Sequence, residues 1–187
     1  LPGSKSTIAD LEQFRELGWD LELQHHVRQG GHVLGICGGY QMMGKSVRDP
    51  DGIEGSQREA KGLCLLDVET VLIPNKTVRN RQALDIATQR PLQGYEIHMG
   101  RTSGPDTYRP MIALGGKADG AISEDGRSRG CYLHGLFTSD DWRRSYLKGV
   151  GIKASEVSYR QSVETTLDRL ADFLEEHIDP KIWSLGI

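Results

Sequence analysis

Cysteine is scarce in this chain. There are three, Cys37, Cys64 and Cys131, an odd number without the paired spacing of a metal site or a disulfide framework. No metal is expected, and a reduced, cytoplasmic setting is. Long apolar runs are missing as well. Nothing approaches the roughly 20 residues that cross a bilayer, and no signal peptide is visible, so a membrane is not an expected partner. Positive charge is not in excess: 23 Lys and Arg stand against 26 Asp and Glu, a net charge of -3. That gives no reason to expect nucleic acid. There is no G-x-x-x-x-G-K-[ST] phosphate loop, no internal repeat, no low-complexity tract and no evident linker.

What is present suits an α/β domain. The chain has 187 residues, 37% hydrophobic and 26% charged, enough for one domain with a sizeable core. It opens on Leu and runs at once into LPGSKST, a turn that a strand would normally lead into. It is therefore expected to be a fragment, with N-terminal strands lying outside it. The pattern from 6 to 29 is helical. Ile8, Leu11 and Phe14, then Trp19, Leu23 and Val27, recur at helical spacing, with Gly18 dividing two helices. Residues 32–36 read as a short buried strand and 38–47 as the helix after it, half of a parallel α/β unit. DPDGIEGS, 49–56, reads as a loop, and 63–73 and 77–87 as extended. GAISEDGRSRGCYL, 120–133, reads as a hairpin turning at Asp125-Gly126. The chain ends in helices. Val163, Leu167, Leu170, Ala171 and Leu174 form an apolar stripe, core or interface, closed by Asp179-Pro180.

The chemistry centres on GGHVLGICGGYQMMG, 30–44. A cysteine at a sharp strand-to-helix turn is held strained and exposed. Close approach of strand and helix leaves no room for neighbouring side chains, hence Gly35, Gly38 and Gly39. G-I-C-G-G is the cysteine counterpart of the G-x-S-x-G nucleophile elbow. A helix beginning at 38 aims free N–H groups at the sulfur, which favours thiolate and offers donors to an oxyanion. The bland alternative is a buried small apolar residue with packing glycines. The context of Cys37 favours the nucleophile.

A thiol nucleophile needs a base. Among six histidines, His134 ends the apolar run Cys131-Tyr132-Leu133 and precedes Gly135, a strand end above a sheet edge. His25 and His26 belong to a helix, His32 precedes the buried strand, and His177 lies in the terminal helix. His98, in GYEIHMG, is the second candidate.

These residues carry a resemblance. GICGGYQMMG with YLHGLF resembles the class I (triad-type) glutamine amidotransferases. LPGSKST, DPDGIEG and GYEIHMGRTSG narrow it to the cobyric acid branch of cobalamin biosynthesis rather than the a,c-diamide branch. The likeness runs from Leu1 to about Phe137. It implies a flavodoxin-like class I fold, a mixed sheet flanked by helices. It also implies hydrolysis of glutamine through a cysteinyl thioester. Ammonia would pass to an ATP-dependent synthetase domain of the same polypeptide, to amidate a corrinoid, adenosylcobyrinic acid a,c-diamide, bound elsewhere. ATP and Mg²⁺ belong to that domain, and no cofactor to this one. Carried over by position, Cys37 is the nucleophile, His134 the general base, Gly38 one oxyanion donor and Gly3 or Ser4 the second. Gln41 sits where the family has a glutamine beside the bound substrate. Tyr95, Glu96 and His98 become pocket or interface residues without assigned roles.

One position departs from the family. Two residues after the histidine most members carry a Glu that orients the imidazole; here it is Leu136. A backbone carbonyl, a water or an acid elsewhere, such as Glu96, must take that role. Weak orientation implies slow or partner-dependent hydrolysis. Two other readings compete: a different Cys-elbow α/β hydrolase or peptidase-like enzyme, and a non-catalytic binding module on the same fold.

Overall fold

Helix α1 (Thr7–Glu16) and helix α2 (Trp19–Arg28) open the chain. Gly18 stands between them at φ 72°, a left-handed conformation that suits glycine, so the break falls where the periodicity predicts it. Strand β1 (Val33–Ile36) and the short helix α3 (Gly38–Met42) follow, then β2 (Ser46–Arg48), β3 (Glu59–Lys61) and β4 (Glu69–Val71). Next come β5 (Thr77–Asp85), β6 (Pro91–His98), β7 (Arg101–Ser103), β8 (Ile112–Leu114) and β9 (Lys117–Asp119). The hairpin β10 (Ala121–Ile122) and β11 (Ser128–Cys131), strand β12 (Leu133–His134), and helices α4 (Asp140–Gly149) and α5 (Tyr159–His177) complete it. This computed structural model describes residues 1–74, 77–179 and 182.

The strands form three sheets among the described residues. In the first, β1 lies parallel to β11, which pairs antiparallel with β10. The predicted hairpin is there, with Gly126 at φ 74° in its turn. The second has the order β3-β2-β4-β7, with β2 and β4 parallel. The third, β12-β6-β5-β8-β9, is antiparallel throughout and sets His134 opposite Tyr95.

Two expectations need correction. The helix predicted over 38–47 stops at Met42. Its last carbonyls are taken from outside: Leu63 N–H donates to Met42, and Leu65 and Leu66 N–H donate to Met43. The same bonds keep the first half of 63–73 irregular, and only Glu69–Val71 forms a strand there. Its apolar side chains are still core. Leu63 and Leu72 cluster with Ile8, Leu11 and Met42, while Leu66 and Val68 cluster with Val33, Tyr40 and Met43. Each such burial stabilises by about 1.5–3 kcal/mol. Together they clamp α3 between two apolar clusters.

Residues Leu1–Leu136 form one compact unit and Phe137–Ile187 another. Within the second, Trp142 stacks on Tyr146 at 5.0 Å and meets Phe137 edge-on at 5.4 Å. The Asp140 carboxylate accepts from Tyr159 N–H at 3.0 Å, tying α4 to the start of α5. No side chain of α5 is buried, and Leu167 and Leu170 are about half exposed. The apolar stripe is therefore not core within the described residues. Pro180, expected to end it, lies outside them.

Candidate active site

β1 feeds directly into α3 through one residue. Cys37 occupies that junction at φ 54°, ψ -113°, a conformation that costs a side-chain-bearing residue about 1–3 kcal/mol. Its N–H donates to the Cys131 carbonyl at 2.9 Å, and its own carbonyl accepts from Gln41 N–H at 3.0 Å. The flanking glycines are obligatory for space. A Cβ on Gly35 would stand 2.5 Å from Met43 Sδ and 2.8 Å from the Tyr40 Cα, and one on Gly39 would strike the Leu1 carbonyl.

The N-terminal turn lies against this elbow. Leu1 N–H donates to the Leu34 carbonyl at 2.8 Å, and the Leu1 carbonyl accepts from Ile36 N–H at 3.0 Å. That bridging brings Gly3 and Ser4 to the sulfur. A Cβ on Gly38 would lie 2.7 Å from Ser4 N, and one on Gly3 would lie 3.0 Å from His134 Cε1 and 3.9 Å from Cys37 Sγ. Gly3, Ser4, Cys37, Gly38 and His134 thus converge. Cys64 is exposed and Cys131 is wholly buried.

The thiol and the imidazole meet at one backbone atom. Cys37 Sγ donates to the Ile97 carbonyl oxygen at 3.1 Å, and His134 Nε2 lies 3.3 Å from the same oxygen. A carbonyl only accepts, so this contact puts the proton on Nε2. Tyr95 stacks flat against the imidazole. Burial pushes the Cys37 thiol above its ordinary range. The Gly38 N–H works against that, and the Glu54 carboxylate adds to it. The expected bias toward thiolate is therefore reversed at rest. A five-residue helix supplies one effective donor, and desolvation outweighs it.

Gln41 is 3% exposed, and its amide is fully engaged. Nε2 donates to the Met99 carbonyl at 3.1 Å and to the Tyr132 hydroxyl at 3.3 Å, while Oε1 accepts from Thr7 Oγ1 at 3.2 Å. The network extends both ways. Tyr132, its phenol pushed up to about 12 by burial, pairs with Thr102 at 2.6 Å. Thr7 reaches Glu54, whose carboxylate accepts from the Thr7 N–H at 2.5 Å and so caps α1; the one Thr7 hydroxyl proton is shared between Glu54 at 3.1 Å and Gln41 Oε1. Burial raises the Glu54 carboxyl overall, although the Thr7 and Ile8 donors oppose it. The loop is closed by fully buried Asp49, which accepts from Ile53 and Glu54 N–H at 2.8 Å each.

Glu96 does not reach His134. Side chains alternate along a strand, so Tyr95 faces the imidazole while Glu96 bonds Arg81 at 2.8 Å and His98 at 3.0 Å. Burial works against the Glu96 charge, but those two partners outweigh it and hold the carboxyl below its usual range. His98 stacks on Tyr132 at 3.9 Å. Glu96 and His98 line a separate cavity of about 350 Å³ with Arg81, Arg101, Lys117 and Asp119. No group of three His, Cys, Asp or Glu side chains suited to a metal ion occurs among the described residues. Nor is any helix there long and apolar enough to cross a membrane.

Cys37 is buried rather than exposed as expected, but its constrained strand-to-helix turn is the elbow geometry of an α/β fold. A family model of the CobB/CobQ-like glutamine amidotransferase domain matches residues 1–142, and the chain belongs to that family. It is 58% identical over 179 residues to a cobyric acid synthase of Mesorhizobium japonicum, covering 96% of this chain and 36% of the relative. To a cobyric acid synthase of Rhizobium johnstonii it is 55% identical over 187 residues, 100% of this chain and 38% of the relative. The chain thus spans little more than a third of these curated relatives. Among solved structures, a glutamine amidotransferase superposes with a TM-score of 0.54 at 17% identity, covering 81% of this chain and 77% of that one. PurLQS from Thermotoga maritima gives 0.50 at 14% identity, covering 70% and 67%. The fold is that of the class I glutamine amidotransferases, and family membership removes the peptidase-like and other hydrolase readings.

Sequence reasoning missed several participants. Ile97 acts through its carbonyl, so no side-chain signal exists for it. Thr7, Glu54 and Tyr132 join the site only through tertiary contact, although DPDGIEG marked the loop that holds Glu54.

Proposed function

We propose that residues 1–187 are the glutaminase domain of a cobyric acid synthase, joined in one cytoplasmic polypeptide to a synthetase domain. The observation that carries this is a cysteine held at a strand-to-helix elbow in a chain 58% identical to such a synthase.

In this reading Cys37 Sγ attacks the side-chain amide carbon of glutamine as its proton passes to His134. Oxygen of the tetrahedral intermediate takes hydrogen bonds from the Gly38 N–H and from the Gly3 or Ser4 N–H. Collapse breaks the C–N bond, His134 protonates the leaving nitrogen, and ammonia departs. Water activated by His134 then hydrolyses the thioester to glutamate. Gln41 stands beside the bound glutamine, its Nε2 holding the Met99 carbonyl. In the synthetase domain, carboxylates of adenosylcobyrinic acid a,c-diamide would be activated at the expense of ATP, with Mg²⁺ held there, for amidation by the ammonia.

The contact at Ile97 is read as the resting arrangement. Proton transfer to Nε2 requires the imidazole to leave that carbonyl and carry its proton on Nδ1 instead, so an occupied synthetase domain has something to switch. The test is Cys37→Ala in the complete synthase. Glutamine-dependent amidation should vanish while amidation from added ammonia persists. Normal glutamate release by this variant would overturn the reading.

A further inference from the structure

Resting on the reading above, the geometry points to Tyr95 as the positioning residue of His134, in the place where a carboxylate would otherwise hold the ring. The two residues are directly opposite partners in the β12–β6 ladder. Their rings stack with centroids 4.9 Å apart and planes 7° from parallel. Directly opposed residues of an antiparallel pair put their side chains on one face at short range. Gly94 tightens the pairing further, since any Cβ there would strike the His134 carbonyl. Tyr95 therefore meets His134 across backbone with little freedom to part.

Three contacts then define the imidazole. The Tyr95 ring sets its plane. The Ile97 carbonyl at Nε2 and the Gly3 backbone beside Cε1 set its rotation within that plane. Neither carboxylate position that the sequence raised supplies a partner. Position 136 is a fully buried Leu, and the Glu96 carboxylate is held by Arg81 and His98. The stack also acts in the chemistry. On taking the thiol proton the imidazole becomes a cation, and an aromatic face beside a cation stabilises it. Glutamine cleavage forms that cation and then consumes it, so the stack lowers the step without touching substrate. Because Tyr95 is 44% exposed, truncating it leaves no cavity in the core.

The test compares Tyr95→Phe, Tyr95→Leu and Tyr95→Ala in the complete synthase. Phe keeps the flat face and should stay within about threefold of wild type in kcat. Leu and Ala lose it and should drop kcat about tenfold, a cation–π-sized effect, with KM nearly unchanged. Where Ala fails to fold, Leu carries the comparison. In a His134→Ala background, Tyr95→Leu should cost nothing further, since the residue acts through the histidine. Full kcat in Tyr95→Leu would overturn the inference, as would equal damage by Phe or an undiminished loss in the His134→Ala background. Labelling wild-type Cys37 with a diazoketone analogue of glutamine separates the two levels. With labelling and an unaffected Tyr95→Leu, only the stacking role falls. With no labelling, the glutaminase reading falls and takes this one with it.

Discussion

Cys37 and His134 share a single acceptor, the Ile97 carbonyl, at 3.1 and 3.3 Å. The sulfur keeps its proton, and Nε2 holds one too while that contact lasts. Nε2 cannot take the thiol proton until the imidazole leaves the carbonyl and its own proton moves to Nδ1.

Residues 1–187 by themselves should accordingly turn over glutamine negligibly, and the complete synthase should restore turnover when corrinoid and ATP are present. A misplacement of about 1 Å in such a site costs on the order of a hundredfold in rate. Steady-state glutamate release by the two proteins, side by side, decides the matter. Equal rates per Cys37 would show the isolated residues to be self-sufficient.

Gly3 has a sharp spatial requirement. A Cβ there meets His134 Cε1 at 3.0 Å and Cys37 Cβ at 3.5 Å. Gly3→Ala should lower glutamine-dependent activity by at least about tenfold, through displaced groups at the reacting centre. Ammonia-dependent amidation should stay at the wild-type level. Equal glutaminase rates for variant and wild type would mean that the turn moves aside freely.

His134 and Leu136 should separate cleanly into chemistry and packing. His134→Ala should cut glutamine hydrolysis by about a hundredfold or more with little change in thermal midpoint. Leu136→Ala empties a fully buried site and should cost about 2–5 kcal/mol of stability, leaving kcat of the folded fraction nearly intact. Thermal melts and kinetics on both variants distinguish the roles. A kcat loss in folded Leu136→Ala matching that of His134→Ala would contradict the division.

Burial raises the Cys37 thiol, so at neutral pH it is mostly protonated and thiolate appears only as pH climbs. Iodoacetamide alkylation of Cys37, followed by mass spectrometry, should be half-maximal above about pH 8.5, where an unperturbed thiol falls. In the guanidinium-unfolded chain the midpoint should return to that value. A folded midpoint below it would mean that the α3 donors outweigh desolvation.

The elbow was legible in the residues themselves. Only glycine fits at 35, 38 and 39 when a strand and a helix meet at a cysteine, and that steric demand leaves its mark in the local string GICGGY. The break at Gly18 and the hairpin at Asp125-Gly126 were legible for the same reason, since φ > 0 or a tight turn restricts which residue can stand there. The choice of His134 also followed locally, from an apolar run ending in a polar residue at a strand edge.

Other features were decided at a distance. The end of α3 depends on N–H groups from 63–66, about twenty residues on, taking its last carbonyls. Gln41 carries its family position in the sequence, but its burial depends on Thr7, Met99 and Tyr132, brought together from three separate stretches. The thiol's protonation follows from a balance between one local N–H and the desolvation imposed by the whole packed unit. His134 is met by an aromatic ring rather than a carboxylate because the β12–β6 register puts Tyr95, and not Glu96, on its face. Sequence by itself determined which backbone conformations were possible at the elbow, because sterics there act between near neighbours. Only tertiary structure decided what surrounds the sulfur and the imidazole, because hydrogen bonding and desolvation act between groups that the chain keeps far apart.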